Sequence, residues 1–162
     1  AANLTGLGGL DIRSLALISP AGLGPQINGD YIEGFLSANT EAVLKIWLEV
    51  LVHKPASLPG ALLRATLTAR DGTAMVANQK KVSVGLFAGN TQLFSIKDAL
   101  DKFTGPIRAI VGSDDRIVPP THITAAPPHV GIHHLPQVGH LPQLEAAELT
   151  AKLVAETVRS AG

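Results

Sequence analysis

Two residues of the 162-residue chain have the types and the setting for proton-transfer chemistry, Asp115 and His140. Asp115 ends an acidic turn, Gly112-Ser113-Asp114-Asp115, that follows the apolar run Ile107–Val111. His140 lies in a Gly139-His140 loop that follows a second run, Val130–Leu135. A histidine acting as general base needs a partner that fixes its tautomer and stabilises the imidazolium. A carboxylate on Nδ1 does both, and losing that partnership in a serine hydrolase costs on the order of 10⁴ in rate. Residues just past the carboxyl ends of parallel strands meet in a common crevice. Taken singly, Asp115 reads as a cap for the Pro119 region and His140 as a loop histidine; the pairing after successive strands is what points to catalysis. Asp114 competes with Asp115 for the histidine. One carboxylate is expected to point at it and the other away, and Arg116 can neutralise either.

These residues need a sheet to hold them. Ile12–Ser19 is a further strand, and its core, Leu15–Ile18, is continuously apolar. A strand apolar on both sides is buried on both faces, as in a parallel sheet covered by helices. Pro119-Pro120 opens a short helix between the other two strands, which gives a compact strand–helix–strand crossover. A final helix starts near Pro142, a residue suited to a first helical position. Leu144, Ala147, Ala151, Val154, Ala155 and Val158 are expected to form its inner face, with Glu145 and Glu148 early and Arg159 late to match the helix dipole.

Residues 26–103 carry no strand signal and read as short helices. Thr40–His53 has Val43, Ile46, Trp47, Val50 and Leu51 at helical spacing, and Leu44, Leu48 and Val52 widen that surface. Only Glu41, Lys45 and Glu49 form a polar stripe, so a helix packed on two sides is expected. Pro59 starts a helix to about Ala69 and Thr73 another to about Phe87. Ser95 and Asp98 resemble a capping box for a helix to Phe103. The expected fold class is α/β: about three parallel strands, a helical lid insert and a C-terminal helix. Residues 1–25 and 104–162 form the core sheet and helices, and 26–103 form the lid.

Composition excludes other readings. Basic and acidic residues balance at 13 each, so neither nucleic acid nor an anionic membrane is an expected partner. No apolar run reaches the roughly 18 residues that cross a bilayer. No basic segment with an apolar core opens the sequence, which favours the cytoplasm. There is no cysteine, which removes disulfides and thiolate metal sites. His122, His129, His133 and His134 cluster in sequence, but strand neighbours such as His133 and His134 point to opposite faces. No metal site is expected. Gly6–Gly9 and Gly22–Gly24 lack the spacing of a dinucleotide or phosphate loop.

Gly112-Ser113-Asp114-Asp115-Arg116-Ile117-Val118-Pro119 and Val138-Gly139-His140-Leu141-Pro142-Gln143-Leu144-Glu145 resemble the acid and histidine motifs of the α/β-hydrolase superfamily. In that pattern the acid stands four residues before the proline, here Asp115. The histidine follows a glycine, and a glutamate comes five residues later, here Glu145. Ser14-Leu15-Ala16-Leu17-Ile18-Ser19-Pro20-Ala21-Gly22-Leu23-Gly24, with Ile27-Asn28-Gly29-Asp30-Tyr31-Ile32-Glu33-Gly34-Phe35, is similar to a narrower group. That group is the hydrolase-like domain of the dihydrolipoamide acetyltransferase component of acetoin dehydrogenase complexes. The resemblance covers nearly the whole chain. It implies serine-dependent acyl chemistry in the parent protein: acyl transfer to dihydrolipoamide, or hydrolysis of a small acyl substrate. Asp115 orients His140, and His140 acts as base and then acid. No cofactor is implied in the chain itself; a lipoyl group is the implied acyl carrier of the parent complex.

One part of the family pattern is missing. No Gly-x-Ser-x-Gly elbow occurs, and Gly6-Leu7-Gly8-Gly9 has no hydroxyl and precedes a strand rather than a helix. The resemblance therefore implies the C-terminal fragment of an α/β-hydrolase fold, inactive alone. Its partners are the upstream part of its own domain and a multienzyme complex. Ala1–Leu4 would be the end of the helix that follows the nucleophile. The Ile12–Ser19 strand is then left with an open apolar edge, and self-association through it is expected. Two other readings share the residues: a non-catalytic assembly or interaction module of a multienzyme complex, and an unrelated ester or carbon–carbon bond hydrolase.

Overall fold

The computed structural model describes residues 10–162. The expected helix end at Ala1–Leu4 and turn at Gly6–Gly9 lie outside the described residues. Along the chain run β1 (Leu15–Ile18), α1 (Gly29–Ser37), α2 (Glu41–Val50), α3 (Gly60–Arg70) and α4 (Met75–Leu86). There follow β2 (Phe87–Ala88), β3 (Thr91–Gln92), α5 (Lys97–Lys102) and β4 (Ile107–Gly112). A 3₁₀ turn (Pro120–Ala125), β5 (Gly131–Leu135), α6 (Pro142–Glu145) and α7 (Ala147–Arg159) complete the chain.

β1, β4 and β5 form a parallel sheet in that order, with Leu15 opposite Ile107 and Arg108 opposite Gly131. The continuous apolar runs follow from burial on both faces. Leu15, Leu17, Ala109 and Val111 meet Leu23, Ile96, Leu100 and Ile123 on one side. Ile18 and Ile110 meet Leu135, Val138, Leu153 and Val154 on the other, where α7 lies across β1 and β4. β1 is shorter than the expected Ile12–Ser19: it begins at Leu15, and at its far end Ser19 turns out of the strand with φ of 44°.

Four further expectations need correction. The region read as wholly helical contains an antiparallel hairpin, with Phe87 opposite Gln92 and Ala88 opposite Thr91. Its two-residue Gly89-Asn90 loop, with Gly89 at φ of 53°, is a recognisable hairpin turn. Strands of two residues are too short to show a period. α2 meets both α1 and α3 and buries Leu44 and Leu48, but its exposed face is wider than the polar stripe, leaving Val43 and Ile46 exposed. The hydroxyl of its cap, Thr40, accepts the Val43 N–H. Ser95 accepts the Lys97 N–H ahead of α5, but no side chain caps that helix, so the capping box does not form.

The last correction concerns the C-terminal helix, which is broken at Ala146 (φ −135°, ψ 51°). The expected inner face lies largely outside: Ala147 and Ala151 are exposed, and Val158 is 60% exposed. The buried side carries Thr150, Leu153 and Thr157. The threonines are tolerated there because their hydroxyls donate to backbone carbonyls, Thr150 to Pro142 and Thr157 to Leu153.

Candidate active site

The acid and histidine loops leave adjacent parallel strands and cross at Gly112. A Cβ at Gly112 would overlap the carbonyl oxygens of Val138 and Gly139, so only glycine lets the loops approach this closely. The crossing is tied by backbone bonds, Ser113 N–H to the Leu135 carbonyl and Asp114 N–H to the Val138 carbonyl, each 2.9 Å.

Beyond this crossing Asp115 turns inward. Its side chain is 2% exposed. Oδ1 accepts the N–H groups of Ile117 (2.8 Å) and Val118 (3.0 Å). Oδ2 lies 2.8 Å from Nδ1 of His140, whose side chain is 23% exposed. An ionised carboxylate only accepts, so opposite it Nδ1 is the donor, and the neutral imidazole then keeps its lone pair on Nε2. No described residue bonds to Nε2. A buried carboxylate on Nδ1 and an open Nε2 is the arrangement of a histidine ready to take a proton from a third group.

The structure separates the two neighbouring acids. Asp114 points away from His140, and its Oδ2 lies 2.8 Å from Nδ1 of His53. His53, just past α2, was not singled out by its sequence context. Arg116 neutralises neither carboxylate. Its Nη2 donates to the carbonyls of Glu49 and Val52, 2.7 Å each, and so satisfies the open end of α2. The start of α1 is fixed to the same acid loop. Asn28 N–H donates to the Ile117 carbonyl, and Asn28 Nδ2 donates to that of Arg116. The same side chain caps α1 through the Tyr31 N–H.

The other clustered histidines are dispersed. His122 Nε2 meets Gln26 Oε1 at 2.7 Å, and His129 Nε2 meets the Leu100 carbonyl at 3.1 Å. Burial holds the His122 imidazole below its ordinary value, and Lys97 adds to this. Burial also lowers His133, with Arg108 adding to it and Glu156 opposing it. Among the described residues no three histidine, aspartate or glutamate side chains converge as a metal site would require. Ser19, buried at the end of β1, lines a small cavity with Asp115 and His122 and makes no bond to His140. No helix among the described residues is long and apolar enough to cross a membrane.

Comparison with known proteins identifies a family and a fold. A family model described as "Alpha/beta hydrolase family" matches residues 1–153. The chain is similar to the dihydrolipoyllysine-residue acetyltransferase component of the acetoin cleaving system of Pseudomonas putida. Identity is 30% over 146 residues, covering 90% of this chain and 39% of that protein. The same component of Cupriavidus necator is 29% identical over 136 residues, covering 84% of this chain and 36% of that protein. The chain thus spans less than two fifths of the length of these relatives. Among solved structures, a variant of a meta-cleavage product hydrolase from Pseudomonas fluorescens IP01, complexed with acetates, superposes with a TM-score of 0.78. Identity there is 15%, with 99% of this chain and 60% of that one covered. A bacterial membrane phospholipase A superposes with a TM-score of 0.76 at 20% identity, covering 99% and 53%.

Proposed function

The chain belongs to the alpha/beta hydrolase family, and from that premise we propose that it supplies the acid and histidine of a serine-dependent acyl-transfer or hydrolysis site. The reading rests on the Asp115–His140 bond, with Nε2 left open. Asp115 holds the imidazole in the tautomer that can accept a proton. His140 then takes the proton of a serine hydroxyl as that oxygen attacks an acyl carbonyl, and returns it to the leaving group. The serine comes from a Gly-x-Ser-x-Gly segment outside this chain, so the chain alone is inactive. The acetoin-system relatives favour a small acyl substrate, a lipoyl group as acyl carrier, and membership of a multienzyme complex. The test is turnover of a small acyl ester or thioester. The chain alone should show none. The protein that carries it together with the elbow serine should turn over, and His140→Ala there should cost on the order of 10⁴–10⁶ in kcat. Hydrolysis by the isolated chain that disappears in His140→Ala would overturn the proposal.

A second reading is a non-catalytic assembly module of a multienzyme complex, which the component names of the acetoin-system relatives favour; separately, β1 of this chain pairs only with β4 among the described residues. An unpaired strand edge is a template for another chain. Self-association through it predicts a dimer or larger species by light scattering at micromolar concentration. A monomer with that edge bare would refute it.

A further inference from the structure

We infer that Glu145 is the residue that positions His140, by tying the histidine loop to the end of α2 through one shared carboxylate. The inference rests on His140 being the working base, as proposed above. Glu145 Oε2 accepts the N–H of Gly139 at 2.7 Å, the residue immediately before His140. Its Oε1 accepts the N–H groups of His53 at 2.8 Å and Lys54 at 3.2 Å. Three backbone donors from two loops therefore converge on one side chain, in charge-assisted bonds of the stronger kind.

The two loops are also in direct backbone contact. The His140 N–H donates to the Leu51 carbonyl at 2.7 Å. A Cβ on Gly139 would stand 2.7 Å from that same oxygen and 2.8 Å from the His53 nitrogen, so no side chain fits between them. The Asp114–His53 contact and the bond from Arg116 to the Val52 carbonyl join the acid loop to the same turn. Acid loop, histidine loop and the turn Leu51–Lys54 form a closed ring of bonds, with Glu145 as the member that touches two of the three. The consequence is specific. The segment after α2 is a fixed part of the frame around His140, and a change at Glu145 is felt at the imidazole through Gly139.

Glu145→Gln tests this with minimal change of shape. An amide has one acceptor oxygen, so either Gly139 or the His53–Lys54 pair faces an NH₂ group instead of an acceptor. In the folded variant, the low-field proton signal of His140 Nδ1–H should broaden or shift, while the His129 ring signals stay where they are. An unchanged His140 signal in folded Glu145→Gln would overturn the inference. Should that variant fail to fold, amide exchange in the unaltered chain decides. A shared anchor predicts that Gly139, His53 and Lys54 exchange through one opening, with protection equal within about threefold. Protection of Gly139 differing from that of His53 by more than about tenfold would contradict it. Neither readout needs turnover, so failure of the positioning role and failure of the catalytic reading are separable. In the serine-bearing protein, Glu145→Gln should lower kcat by about 10² with KM little changed, the cost of misplacing a catalytic group by about 1 Å.

Discussion

Asp114 and Asp115 are sequence neighbours, and each holds Nδ1 of a histidine at 2.8 Å, yet they are different devices. Asp115 is 2% exposed and its second oxygen is held by two backbone N–H groups. Asp114 is 45% exposed and its partner His53 is 29% exposed. Distance alone does not make the site. Exposed pairs are solvated and screened, and contribute about 0–1 kcal/mol. A buried carboxylate fixed by backbone donors can hold only one orientation and one histidine tautomer, which is what a general base requires.

Conservative amides separate the two acids most severely. In the serine-bearing protein, Asp115→Asn should lower kcat by on the order of 10⁴. Backbone donors keep the amide oxygen on Ile117 and Val118, so the NH₂ faces His140 and forces the proton from Nδ1 to Nε2. Asp114→Asn should leave kcat within about threefold, because an exposed pair carries little energy. Equal losses in the two variants would erase the distinction. Stability of the isolated chain gives the next largest contrast. Asp115→Ala leaves two backbone donors and a histidine unpartnered inside the protein and should cost about 2–4 kcal/mol in urea unfolding. Asp114→Ala should cost about 0–1 kcal/mol.

A third histidine, one without a carboxylate, sharpens the contrast on the pH axis. His122 is held below its ordinary value chiefly by burial. Its neutral form is favoured in the folded state, so the unfolded chain binds the proton first as pH falls. Its contribution to stability is therefore intact above about pH 6.5 and declines as the pH drops below that value. His122→Gln should flatten this part of the stability–pH curve. A steeper acid loss in the variant would show the sign to be wrong.

The acid–histidine pair was legible because both residues follow apolar runs, and such runs place their successors at one sheet edge. Which aspartate serves the histidine was not decided by the run itself; the proline four residues on carried that information through the family resemblance. His53 and Glu145 were illegible as partners because they meet across 92 positions of sequence, through a backbone N–H that every residue possesses. The hairpin at Phe87–Gln92 left only a Gly-Asn turn as its trace. On α7 the hydrophobic stripe misled. The buried threonines hide their hydroxyls on carbonyls, and the break at Ala146 frees α7 from the phase set at Pro142.

The partnership of Asp115 with His140 is read most directly from the Nδ1 proton of the histidine. A low-field proton NMR spectrum of the isolated chain should show a hydrogen-bonded Nδ1–H signal that is absent in His140→Ala. It should be lost in Asp115→Asn and kept in Asp114→Asn. Persistence of the signal in Asp115→Asn, or its loss in Asp114→Asn, would contradict the assignment of Asp115 as the partner of His140.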